Sequence, residues 1–153
     1  MGVRFQDPQK ISCRGLQFRI FLVQMKQSST DSSIRVLAIS PAHEDHSVLK
    51  GIFDDSTEVL HADSLPAALA VLREQAVPIV ICERDLGQHT WKNVLETITC
   101  LPHPPLLIVT SGLADDYLWS EALNLGAYDV LAKPFDVEEV VRTVDAARRR
   151  CTN

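Results

Sequence analysis

The chain has 153 residues, 46% hydrophobic and 23% charged, with a formal net charge of −5. This length fits one domain able to bury a sizeable core, and the composition is that of a globular chain. The negative balance disfavours sequence-independent binding to nucleic acid, and no apolar stretch is long enough to span a bilayer.

Residues 1–33 read as an N-terminal extension and serine-rich linker, partly disordered. Within it, 16–25 (LQFRIFLVQM) is apolar, but it is short and broken by Arg19. No small-residue cleavage pattern follows, so it does not read as a signal peptide. Met25 offers a second start, and whether residues 1–24 belong to the natural protein stays open.

Periodicity becomes regular at Ile34, where a domain spanning 34–150 begins, followed by a tail at 151–153. Residues 34–40 (IRVLAIS) form an apolar, β-branched run expected to be a buried strand. Residues 44–54 place Val48, Leu49, Ile52 and Phe53 on one helical face. A weaker strand at 57–62 precedes a helix that turns Leu65, Leu69 and Leu72 inward, with Ser64 or Asp63 as cap and Pro66 in its first turn. Residues 78–83 (PIVICE) are apolar until Glu83. Helix 90–101 buries Trp91, Val94, Leu95 and Ile98 and stops before Pro102, Pro104 and Pro105. Strand 106–110 (LLIVT) leads to helix 114–125, closed by Gly126. Strand 128–132 (YDVLA) leads to helix 136–149, capped by Asp136 and aligning Val137, Val140, Val141 and Val144.

Five strands alternating with five helices predict an α/β domain with a mainly parallel sheet covered on both faces, doubly wound by right-handed crossovers. Working residues in such sheets lie at the carboxyl ends of the strands. Those ends are Ser40-Pro41, Glu83, Thr110-Ser111 and Lys133.

Residues 34–150 resemble a response-regulator receiver domain, the phosphorylatable module of two-component signalling. The resemblance rests on the Gly126-Ala127 turn, the Lys133-Pro134-Phe135 run and five βα units at matching spacing. It implies a flavodoxin-like sheet of order 2-1-3-4-5 and a cis peptide before Pro134. It also places Lys133 on the family's phosphate-contacting lysine, Thr110 on its hydroxyl and Glu83, with Leu86 three residues later, on the phosphoacceptor aspartate. Ser40 and Pro41 replace the acidic pair that helps hold Mg²⁺, and Val130 replaces an aromatic that reports the switch.

These departures bear on the chemistry. Mg²⁺ requires octahedral oxygen ligation with one or two carboxylates, and one carboxylate balanced by one ammonium leaves no surplus charge to hold it. Without metal, in-line phosphoryl transfer loses its main electrostatic support. Glu83 is instead expected to pair with Lys133, either imitating an acyl phosphate or acting as a structural ion pair. No metal or cofactor is then expected, although Glu44 or Asp45 could lean toward the strand ends and partly restore cation binding. The alternative is a working receiver using Mg²⁺, with Asp85 or Glu83 as acceptor and Glu44 or Asp45 in support. His43 and His46 do not match H-E-x-x-H, and no third ligand is identifiable from the sequence.

Cys13, Cys82, Cys100 and Cys151 are scattered, which argues against structural zinc and for a reducing, cytoplasmic setting. Arg148-Arg149-Arg150 complements the dipole of the last helix. The absence of G-x-G-x-x-G, G-x-x-x-x-G-K-[ST] and G-x-S-x-G disfavours an enzyme. The expected function is a stand-alone signalling module acting by protein–protein contact. Its partner is a histidine kinase or an output protein, met through the face around Tyr117, Trp119, Val130 and Arg142. Homodimerisation stays open.

Overall fold

Continuously apolar strands need cover on both faces, and the computed structural model, which describes residues 33–152, supplies helices on each side. The expectations for the N-terminal extension and Met25 lie outside the described residues. Among the described residues, β1 (Ile34–Ile39), α1 (His43–Ile52), β2 (Thr57–Ala62), α2 (Leu65–Glu74), β3 (Ile79–Glu83), α3 (Trp91–Ile98), β4 (Leu106–Ser111), α4 (Asp116–Leu125), β5 (Asp129–Ala132) and α5 (Val137–Thr152) follow one another. The sheet is parallel throughout in the expected order β2-β1-β3-β4-β5. The peptide between Lys133 and Pro134 is cis.

Alternation along the strands sorts the core into two layers. Leu37, Ile39, Val80, Cys82, Leu107, Val109 and Val130 face one way, under Leu72 of α2, Trp91, Val94 and Ile98 of α3, and Leu118 and Ala122 of α4. Val36, Ala38, Ile79, Ile81, Ile108 and Leu131 face the other, under Leu49 of α1 and Val140, Val144 and Ala147 of α5. Each fully buried Leu or Ile stabilises the fold by roughly 1.5–3 kcal/mol over leaving it exposed. A one-residue slip would turn each strand's set to the wrong face. Register is therefore tightly fixed, and with it the residues one step past the core. Ser40, Glu83, Thr110 and Lys133 continue the parity of the layer covered by α1 and α5.

Local signals close the elements. The Ser64 hydroxyl accepts from the Ala67 N–H at the start of α2. Thr90 and Asn93 form a reciprocal capping box on α3, and Asp136 accepts from the Glu139 N–H. Gly126 takes φ of 114°, a left-handed conformation that glycine adopts without Cβ strain.

Several faces differ from expectation. On α1, Val48 is 42% exposed while His46 is buried, because the inward stripe runs His46–Leu49 at i, i+3. Leu69 is only half-buried, and Ala68 with Leu72 carries the buried face of α2. Val137 is exposed on α5, and Thr143 and Ala147 join Val140 and Val144 inside. Helix α3 gives way after Ile98 to a turn in which the Cys100 and Leu101 N–H groups bond three residues back. Helix α5 continues to Thr152, past the expected end of the domain.

Candidate functional site

Glu83 ends β3 in register with Thr110 of β4, and Lys133 follows β5, its N–H bonded to the Ser111 carbonyl. Their shared parity brings the Glu83 carboxylate and the Lys133 ammonium together: Lys133 Nζ donates to Glu83 Oε2. The other oxygen, Oε1, accepts from the Arg84 N–H at 2.9 Å, which aims the carboxylate along the top of the sheet. The same N–H also donates to the Thr110 carbonyl at 2.8 Å.

A third charged group joins them. Asp45 sits in the first turn of α1, where side chains lean toward the helix N-terminus and here over the strand ends. Its Oδ2 accepts from Lys133 Nζ at 2.9 Å and from the Ser40 hydroxyl at 2.6 Å. Ser40 Oγ in turn accepts from the Ala42 N–H at 3.1 Å. The expectation of one carboxylate balanced by one ammonium is therefore corrected. Two carboxylates meet one ammonium, and the cluster carries a formal charge of −1. The sequence hint was Asp45 in a helix first turn, but its partner lies 88 residues away.

The cluster is mostly shielded from water, with side-chain exposures of 23% for Lys133, 14% for Glu83 and 12% for Asp45. Burial alone would lower the Lys133 pKa. Hydrogen bonds and attraction from Glu83 and Asp45 together outweigh it, so the pKa rises above the ordinary lysine value. The ammonium thus stays charged across the physiological range.

The remaining expected residues divide clearly. Thr110 is buried beside Glu83 through strand register, and Pro134 follows Lys133 across the cis peptide. Ser40 contributes its hydroxyl to Asp45, whereas Pro41 and Glu44 are exposed. Asp85 is exposed in the turn after β3, 3.9 Å from the Arg84 guanidinium, and it forms a bridge with Thr90. Tyr117 and Trp119 are exposed on α4, and Arg142 is exposed on α5. Val130 is corrected: it is 4% exposed, packed beneath α4, and presents nothing to a partner. Cys82 is a core residue, its thiol pKa pushed up by burial. Among the described residues no helix is long and apolar enough to cross a membrane.

The family model for the response regulator receiver domain matches residues 46–145. Among curated proteins, the chain is 30% identical over 120 residues to a protein-glutamate methylesterase/protein-glutamine glutaminase 3 of Paramagnetospirillum magneticum, covering 75% of this chain and 34% of that one. It is 24% identical over 91 residues to the sensory transduction protein LytT of Bacillus subtilis, covering 60% and 37%. The chain thus spans about a third of the length of these relatives. Among solved structures, a two-component response regulator from Clostridium difficile superposes with a TM-score of 0.70 at 20% identity, over 79% of this chain and 100% of that one. The chemotaxis response regulator CheY4 of Vibrio cholerae superposes with a TM-score of 0.66 at 18% identity, over 75% and 98%. These two likenesses concern the fold.

Proposed function

The chain belongs to the response regulator receiver domain family, and from that premise we propose a two-component signalling module that acts through protein contacts without conventional phosphorylation. One observation carries this reading: the Lys133 ammonium is held by both Glu83 and Asp45. A phosphoryl group would have to take the place of these carboxylates at Lys133. Glu83 is also one methylene longer than an aspartate, so its carboxylate fills the space where an acyl phosphate would form. Mg²⁺ would meet carboxylates already tied to a cation, and an ion that sheds its water reluctantly competes poorly there. The carboxylate–ammonium cluster holds the strand ends in one arrangement, a receiver set by its own side chains.

Output then passes through surface contact. Tyr117 and Trp119 are 75% and 45% exposed on α4, aromatic anchors of the kind that dominate interface energies, and Arg142 is exposed on α5. The partner we favour is a signalling protein, a histidine kinase or an output protein, in the cytoplasm. The methylesterase relative matches over about a third of its length.

A second reading draws on Asp45. Two carboxylates give the cluster the surplus negative charge that a divalent cation needs, which favours a working phosphoacceptor at Glu83. Incubation with acetyl phosphate and Mg²⁺, followed by mass spectrometry of the intact protein, separates the two. The first reading expects no added phosphoryl mass and no Mg²⁺-dependent response to beryllofluoride. Stoichiometric labelling at Glu83 or Asp85 would sink it and support the second.

A further inference from the structure

His43 and His46 lie three residues apart on α1, a spacing that gives two imidazoles and no third. The parallel pairing of β1 with β2 supplies one. His61 stands in register with Ala38 and continues the parity of Val59, on the face of the sheet covered by α1. Its ring centre lies 4.9 Å from that of His46, and the His43 ring centre lies 6.3 Å from it. With Ser40, Asp63 and Ala67, the three histidines line a cavity of about 210 Å³ at the carboxyl ends of β1 and β2.

His46 is the fixed member. It is 8% exposed, and its Nε2 stands 2.9 Å from the Ser40 carbonyl oxygen. A carbonyl can only accept, so Nε2 carries the proton and Nδ1 keeps its lone pair. That Nδ1 is buried without a hydrogen-bond partner, a destabilising arrangement that calls for an explanation. An imidazole anchored through one nitrogen to a backbone carbonyl, with its other nitrogen bare, has the orientation of a metal-ligating histidine.

We propose that His46 Nδ1, His61 and His43 form a binding site for a borderline divalent transition ion of the Zn²⁺ class, with Asp63 or water as fourth ligand. Imidazole nitrogen suits such ions, whereas Mg²⁺ demands oxygen. Two imidazoles sharing one tetrahedral ion at about 2.1 Å per bond hold their ring centres roughly 5.3 Å apart; His61 already stands near that separation from His46 at 4.9 Å, whereas His43, at 6.3 Å, must move closer. Among the described residues no three such groups already surround a common point. Closure requires His43 and His61, both exposed, to swing onto the fixed Nδ1. The site does not depend on the receiver reading, since none of its ligands belongs to the Lys133 cluster.

The test is Zn²⁺ titration of the metal-stripped full chain against a chromophoric chelator, with ¹⁵N spectra of the histidine side chains. One equivalent of Zn²⁺ is expected to bind, moving the His46 Nδ1 resonance while the Nε2–H correlation persists. Loss of an outer-shell partner alone typically costs about 10–100-fold in metal affinity, so His61→Ala should weaken binding at least about tenfold. His61 is exposed, so this variant keeps the test open even if His46→Gln fails to fold. Absence of uptake, uptake unchanged in a His43→Ala/His61→Ala variant, or an unmoved His46 Nδ1 resonance would each overturn the proposal.

Discussion

Glu83→Gln removes one of the two anions that hold Lys133, and the geometry sets the expected cost. Stripping a buried ion of its partner costs about 3–5 kcal/mol. In Glu83→Gln, however, Asp45 remains 2.9 Å from the ammonium, and repulsion between the two carboxylates disappears with the charge. The side chains also keep some access to water, with Lys133 23% exposed. The single change should therefore cost about 1–2 kcal/mol, well below the full value for a stranded ion. Asp45→Asn should cost about as much, because the Asn carbonyl can still accept from Ser40. The double variant leaves the ammonium without a carboxylate and should cost about 3–5 kcal/mol, more than the two single costs combined. Urea midpoints of the four proteins, closed as a double-mutant cycle, measure this coupling. Additive single costs, or a double variant as stable as the parent, would refute the shared-ammonium account.

Two further outcomes follow from the same structure. The raised Lys133 pKa contributes stability that is fully present below the unfolded lysine value, near 10.5, and is lost as pH rises through the higher folded value. Denaturation midpoints collected through that alkaline window should fall in the parent and fall less in Lys133→Met, after other lysines and tyrosines cancel in the comparison; identical slopes would contradict the assignment. Gly126→Ala forces a Cβ onto φ of 114°, with no atom within 4 Å for it to strike. The cost is then backbone strain alone, about 1–2 kcal/mol, read as a lower melting temperature with an unchanged circular dichroism spectrum.

The strands were legible because parallel strands buried on both faces read as unbroken apolar runs, as in IRVLAI and IVICE. Gly126, Ser64, Thr90 and Asp136 marked helix ends because their chemistry is local. Helix faces were less legible. Val48 and His46 lie two positions apart on α1, and hydropathy alone favours valine inside. The structure buries His46 because its ring reaches the Ser40 carbonyl, a contact invisible to periodicity. The expected partner face includes Val130, which the resemblance sets where the family has its switch-reporting aromatic, whereas strand parity turns it beneath α4.

Within the site, Glu83 and Lys133 were legible from their places at strand ends. Asp45 was not separable from Glu44 in the sequence, because adjacent positions in a helix first turn point about 100° apart and only the crossing of α1 over the sheet selects one of them. The third histidine was hidden for a related reason: His61 reaches His46 through strand pairing and not through spacing.

The most direct test of the central claim follows the side-chain carboxyl ¹³C resonances of Glu83 and Asp45. If both carboxylates hold Lys133, both resonances should move in Lys133→Met, and neither should respond to millimolar Mg²⁺ in the parent protein. A saturable Mg²⁺ response at the two carboxyls, or resonances indifferent to loss of the ammonium, would contradict it.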